Sequence, residues 1–204
     1  MEKYILDTNI FFNTQKNFGL GKKAKEVILK LTEIIQQKKQ QIFMPPSAID
    51  EFLGFFSEDE KKQSFINNFL SLIIIKSPDY NNISFPANIF HKLIKETRNR
   101  IYRGLTIAEE EVKNSALLMM GEKKLEKKDF QIKIGKIIRK LRERYRQATR
   151  VGFLDSTTDL DLIILAKEID GFLVSVDEGV IYWGRVFGVK EMPVQFFLKK
   201  LEAG

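Results

Sequence analysis

Lys3-Tyr4-Ile5-Leu6-Asp7-Thr8-Asn9 decides how the rest of the chain is read. A run of strand length stops at a carboxylate, which predicts a short strand ending at Asp7. Working outward, residues 20–38 place Val27, Ile28, Leu31, Ile34 and Ile35 at helical spacing. Residues 41–44 form a second strand, stopped by Pro45-Pro46. Ser47 then looks like an N-cap, with Asp50 as its reciprocal partner, opening a helix that carries Ile49, Phe52, Leu53 and Phe56. A further helix is expected over 58–70. A buried strand follows at 72–75, closed by Ser77-Pro78-Asp79. This alternation is the rhythm of an α/β sheet.

The rhythm breaks at residue 86. Three successive helices are expected, at 86–103, 106–120 and 122–149, with Gly104 and Gly121 as C-caps and Thr106 with Glu109 as a capping box. The α/β pattern resumes with a helix at 155–168, strands at 172–176 and 185–190, and a closing helix at 194–201. The reading is one α/β domain with a mostly parallel central sheet, formed by residues 1–85 and 151–204 and interrupted by an all-helical insertion at 86–150.

Composition narrows the chemistry. The 204 residues are 44% hydrophobic, enough for a core, while the longest apolar runs fall far short of the roughly 20 residues a membrane span needs. The acidic, interrupted N-terminus does not read as a signal peptide, so a cytoplasmic protein without membrane partners is expected. With no cysteine and one histidine, His91, there is no thiolate site and no two-histidine site. Carboxylates, hydroxyls, Lys/Arg or an oxygen-held metal must do the work.

The net charge is +7, and it is unevenly spread. Residues 91–150 hold 18 basic and 8 acidic side chains, a balance of +10, against −3 for the remainder. A polyanionic partner and a separate chemical centre fit that division.

The candidate centre is acidic. Asp7 follows the first strand and Asp177 follows the strand at 172–176; in open parallel sheets, ligands bind beyond the carboxyl ends of strands. Asp155-Ser156-Thr157-Thr158-Asp159-Leu160-Asp161 opens the intervening helix, where an i, i+4 spacing puts Asp155 and Asp159 on one face and turns Asp161 elsewhere. Acids in such places often serve only turns and helix dipoles. Several in one crevice repel until one is protonated or a cation enters. Hard oxygen ligands favour Mg²⁺ or Mn²⁺. An ion so held suits phosphodiester hydrolysis by water, which leaves a 5′-phosphate and a 3′-hydroxyl. Glu51 is a further candidate ligand.

At these residues the chain resembles a PIN-domain nuclease. Asp7-Thr8-Asn9 is similar to the family's D-T-N/S opening, Asp159 to Ala166 to its D-A-x-I-A-A-x-A helix, and Ser175-Val176-Asp177 to its closing T/S-x-D. The resemblance implies a PIN-like three-layer α/β fold and metal-dependent RNA cleavage. It assigns Asp7, Glu51, Asp159 and Asp177 as the acids, with Asn9 and Ser175 as polar support. Within PIN proteins the chain looks most like HARP, the minimal protein-only ribonuclease P. The Asp155/Asp159 pair followed by Asp177, the long basic insertion just before it, and Trp183-Gly184-Arg185 carry that likeness. It implies removal of 5′ leaders from precursor tRNA without an RNA subunit, and large homo-oligomers built from dimers through the insertion.

The insertion has its own physical reading. On its last helix Ile134, Ile137, Ile138, Leu141, Tyr145 and Ala148 share a face that needs a partner. Arg139, Arg142, Arg146 and Arg150, with Lys128 nearby, line the other. From 139 to 150 there are six basic residues and one acid, Glu143, so phosphate contact is favoured over an ordinary solvated face. Lys123-Lys124 and Lys127-Lys128 would extend that surface. His91 reads as structural or exposed and Trp183 as packing. The competing readings are a toxin-type PIN endoribonuclease acting on another RNA and a non-catalytic RNA-binding scaffold.

Overall fold

The computed structural model describes residues 2–12, 19–38, 40–120 and 126–203. The chain divides into two compact units, one formed by residues 1–85 and 154–204 and the other by 86–153.

The first unit is built on five parallel strands, β1 (Lys3–Leu6), β2 (Gln41–Met44), β3 (Ile73–Ile75), β4 (Phe172–Val174) and β5 (Lys190–Glu191), in the order β3-β2-β1-β4-β5. The chain leaves β1 outward through β2 to β3, then returns to place β4 on the opposite side of β1. The order therefore reverses between β1 and β4, and right-handed crossovers put helices on both faces. Around the sheet run α1 (Asn9–Phe12), α2 (Ala24–Lys38), α3 (Pro46–Gly54), α4 (Glu58–Lys61) and α5 (Ser64–Leu70). After the second unit come α8 (Thr157–Glu168), α9 (Glu178–Val186) and α10 (Val194–Ala203). Helix α2 packs on α5 and α10, while α8 packs on α3 and α9.

Central strands covered on both faces need continuous rather than alternating apolar sequence. Tyr4, Ile5, Leu6, Ile42, Met44, Leu173 and Val174 are accordingly all buried. Five consecutive residues of α8, Leu162 to Ala166, are buried as well. Burying each aliphatic side chain of this kind contributes about 1.5–3 kcal/mol before entropy is counted. Gly171 has a steric reason: a Cβ there would lie 2.5 Å from Ile5 Cδ1 and 3.1 Å from the Lys3 carbonyl.

Several local expectations change. The helix expected at 58–70 is two helices, because Ser57 and Glu60 form a capping box that starts α4 separately and the chain re-enters helix at Ser64. Ser47 does not cap α3; Pro45 holds that position without a side-chain bond, and Asp50 is exposed. Residues 185–190 are not a strand. Helix α9 runs on to Val186 with Trp183 fully buried, Gly188 turns the chain at φ 71°, and only Lys190–Glu191 pair with β4. β3 is a sheet edge, buried at Ile73 but exposed at Ile74 and Ile75.

The second unit is a helical hairpin, α6 (Ala87–Met119) against α7 (Lys127–Thr149). The first two helices expected there are one. Gly104 is not a C-cap but a buried contact point, where a Cβ would stand 2.7 Å from the Tyr145 ring and 3.0 Å from Thr149. The Thr106 hydroxyl donates to the Tyr102 carbonyl one turn back instead of capping. Gly121 and Lys123-Lys124 lie outside the described residues. Glu111 is buried and receives Arg144 at 2.5 Å and Lys140 at 3.2 Å, tying the two helices together.

Candidate active site

The switch between β1 and β4 places two acids beyond the carboxyl ends of neighbouring strands. The Asp7 amide donates to the Val174 carbonyl at 3.0 Å, extending the β1–β4 pairing by one residue, and this seats Asp7 in the interior. The Ser175 hydroxyl donates to Asp7 Oδ2 and accepts the Asp177 amide at 2.9 Å. Asn9 donates its amide to Asp7 Oδ1 at 3.1 Å and its side-chain nitrogen to Oδ2 at 3.3 Å. Asn9 and Ser175, the polar residues that the resemblance assigns as support, thus both donate to Asp7. Asp177 is the N-cap of α9, taking the amides of Gly179 at 2.6 Å and Val180 at 3.1 Å on Oδ1.

Helix α3 supplies Glu51, whose Oε2 accepts the buried Thr8 hydroxyl at 3.1 Å. Thr8 is a member of the site that the sequence reading quoted but did not single out. Its place directly after Asp7, in Asp7-Thr8-Asn9, was the available signal.

Helix α8 supplies Asp159 in its first turn. Asp155 lies outside the helix, since Ser156 is the N-cap with its hydroxyl taking the Thr158 amide at 3.1 Å. The i, i+4 argument pairing Asp155 with Asp159 therefore does not apply, although Asp155 is still near enough for its charge to act on Asp159.

Electrostatics make one group of these acids. Burial pushes the Asp159 carboxyl up to about 7, helped in turn by the charges of Asp7, Asp177, Asp155 and Glu51. Burial also raises Asp7 against the opposing bonds from Ser175 and Asn9, with the Asp177 charge adding to the rise. Glu51 is raised by burial, against its bond from Thr8, and further by the Asp7 charge. Among the described residues no three carboxylates stand close enough to share one ion as the side chains are placed. The fold brings five acids into one another's field rather than into a closed ligand shell. The donor set still fits a hard divalent cation: all its atoms are oxygens, and three of the carboxyls carry a proton affinity that a cation would remove.

In the second unit Lys128, Arg139, Arg142, Arg146 and Arg150 are all exposed. Arg146 reaches Glu143 on its own helix at 3.0 Å. On the other face of α7, Ile134, Ile137, Leu141 and Ala148 are only half covered by α6, and Ile138 and Tyr145 are exposed. No helix of the described residues is long and apolar enough to cross a membrane.

Residues 3–203 match the family described as PINc domain ribonuclease. The RNA-free ribonuclease P of Pyrococcus abyssi is 35% identical over 206 residues, covering 99% of this chain and 92% of that protein. The protein of the same name from Nitrosococcus oceani is 33% identical, covering 99% and 95%, and that from Thermodesulfovibrio yellowstonii is 35% identical, covering 92% and 87%. A parallel α/β sheet whose strand order reverses between two aspartate-tipped strands, matched over nearly its whole length, places this chain in the PINc domain ribonuclease family, among the RNA-free ribonucleases P.

Proposed function

We propose that this chain removes the 5′ leader of precursor tRNA by endonucleolytic hydrolysis, acting as protein alone with no RNA subunit and leaving a 5′-phosphate on the mature tRNA. The carrying observation is that Asp7, Asp159 and Asp177 lie within one another's electrostatic field, with Asp159 raised to about 7 by burial and by the acids around it. Near full-length similarity to proteins named RNA-free ribonuclease P supports this substrate over that of a toxin-type nuclease.

Asp7, Glu51, Asp155, Asp159 and Asp177 would hold Mg²⁺ or Mn²⁺. An ion held there would make hydroxide available as nucleophile by lowering the pKa of water, and would neutralise charge on the leaving oxygen. The chain's own contribution is placement. Ser175 and Asn9 keep Asp7 oriented, Thr8 holds Glu51, and the start of α9 fixes Asp177. Lys128, Arg139, Arg142, Arg146 and Arg150 form the phosphate-contacting face, which reads folded RNA by shape. Exposed Ile101, Tyr102, Leu105, Val112, Leu117 and Leu118 on α6 support assembly of copies through the hairpin into a large homo-oligomer. The setting is the cytoplasm, with no membrane partner.

The deciding experiment maps the ends produced when purified chain and Mg²⁺ act on a precursor tRNA. One cut at the mature 5′ end with a retained phosphate is expected. Cuts elsewhere, or in unrelated RNA alone, would replace this reading with the toxin-type one.

A further inference from the structure

Asp161 is the third aspartate at the start of α8, two residues past Asp159 and turned away from it by the helix. Both of its oxygens are occupied. Oδ2 accepts the Ser47 hydroxyl at 2.6 Å and Oδ1 accepts the Tyr80 hydroxyl at 2.5 Å. O–H···O⁻ bonds of that length are the strong, charge-assisted kind.

The partners give the contact its meaning. Ser47 lies in the first turn of α3, and Glu51 is four residues further on, one turn along the same face. A bond at Ser47 therefore sets the rotation and height of α3 against α8 one turn from Glu51. Tyr80 belongs to the segment following β3, so the carboxylate joins three separate stretches of the first unit. The bond to Asp161 pushes the Tyr80 phenol up to about 12, so it is a donor at neutral pH.

We propose that Asp161 is a positioning residue, which locks α3 onto α8 and so keeps Glu51 within the field of Asp159, rather than one of the acids facing the ion. This rests on the metal-site reading above. Asp161 turns both its oxygens to Ser47 and Tyr80, whereas among the described residues no such bond orients Asp159. Tyr80 is exposed, so removing its hydroxyl leaves the core intact and isolates the tether.

The test uses the full chain stripped of metal, with Mn²⁺ as the probe, in four forms: Asp161→Ala, Tyr80→Phe, Ser47→Ala with Tyr80→Phe, and all three changes together. Calorimetry without RNA gives affinity and the number of ions bound, and single-turnover cleavage of precursor tRNA gives the rate. Asp161→Ala and the Ser47/Tyr80 pair are each expected to weaken Mn²⁺ binding by about tenfold, the scale of lost support behind metal ligands. Cleavage should slow by a similar factor with the ion count and KM unchanged, and the triple variant should add nothing to Asp161→Ala. Tyr80→Phe should show part of the same loss while melting like the parent. If the pair and Tyr80→Phe bind and cleave normally, the inference is overturned. It is equally overturned if Asp161→Ala alone lowers the ion count, because Asp161 is then a ligand. The Mn²⁺ measurement needs no RNA. A chain that shows this dependence yet cuts a different RNA keeps Asp161 in its role and loses only the tRNA assignment.

Discussion

The hydroxyl of Ser175 donates to the carboxylate of Asp7 across 168 positions of sequence, spanning the pairing of β4 with β1. The same oxygen accepts the amide of Asp177, so one serine links the two strand-end acids. Ser175→Ala should leave a buried carboxylate short of one donor, a loss of about 1–3 kcal/mol. Cleavage should slow by about tenfold or more at that cost. A melting curve and a single-turnover rate measured together check this; a variant that melts lower but cuts at the parent rate would make Ser175 purely structural.

Asp159 makes stability depend on pH and on metal. Its folded carboxyl sits at about 7 against an ordinary 3.8, so the folded state holds the proton more tightly than the unfolded state. The sign follows: the metal-free protein loses stability as pH rises from about 4 to about 7 and keeps that deficit above it. Asp159→Asn should therefore stabilise stripped protein at pH 8 by on the order of 2 kcal/mol, read as a higher melting temperature, while abolishing cleavage. The advantage should shrink toward pH 5. Mg²⁺ should stabilise the parent at pH 8 more than the variant, and equal Mg²⁺ effects on both would contradict the shared site.

The basic face of α7 predicts a salt effect. Replacing Arg142 and Arg146 by Ala should weaken binding of precursor tRNA and reduce the slope of log affinity against log salt by roughly one per lost phosphate contact. Filter binding at two or more salt concentrations measures it. Unchanged affinity and slope would return these side chains to an ordinary solvated surface, with Arg146 serving only its bond to Glu143.

Gly104 tests the hairpin. In Gly104→Leu the new side chain must displace the Tyr145 ring, which already stands 2.7 Å from the position of a Cβ. Overpacking of this kind costs about 1–3 kcal/mol. The melting temperature should fall, and light scattering should show weakened assembly if copies join through α6 and α7. Unchanged melting would mean that the two helices separate freely there.

Much of the site was legible because its members carry local signatures. Asp7 ends an apolar strand-length run, Asp177 follows another, and Asp159 opens a helix. Where expectations failed, a tertiary contact had overridden a local preference. Gly104 resembles a helix stop, yet it is kept within α6 because only a residue lacking Cβ admits Tyr145. Residues 185–190 have strand composition, but burial of Trp183 keeps Arg185 and Val186 in α9, and only Lys190 of that stretch joins the sheet. Ser47 has the chemistry of an N-cap and spends its hydroxyl on Asp161, 114 positions away.

The sequence by itself determined the class of fold, the excess of positive charge in one helical stretch, and the acids available for chemistry, because these depend on residue type and spacing along the chain. Only the tertiary structure decided that β1 and β4 are neighbours, that Asp159 is raised by burial and then by four other carboxylates, and that Asp161 is engaged elsewhere. Strand order and side-chain partnership join residues far apart in sequence. They are set by which surfaces bury each other, and periodicity along the chain carries no record of that choice.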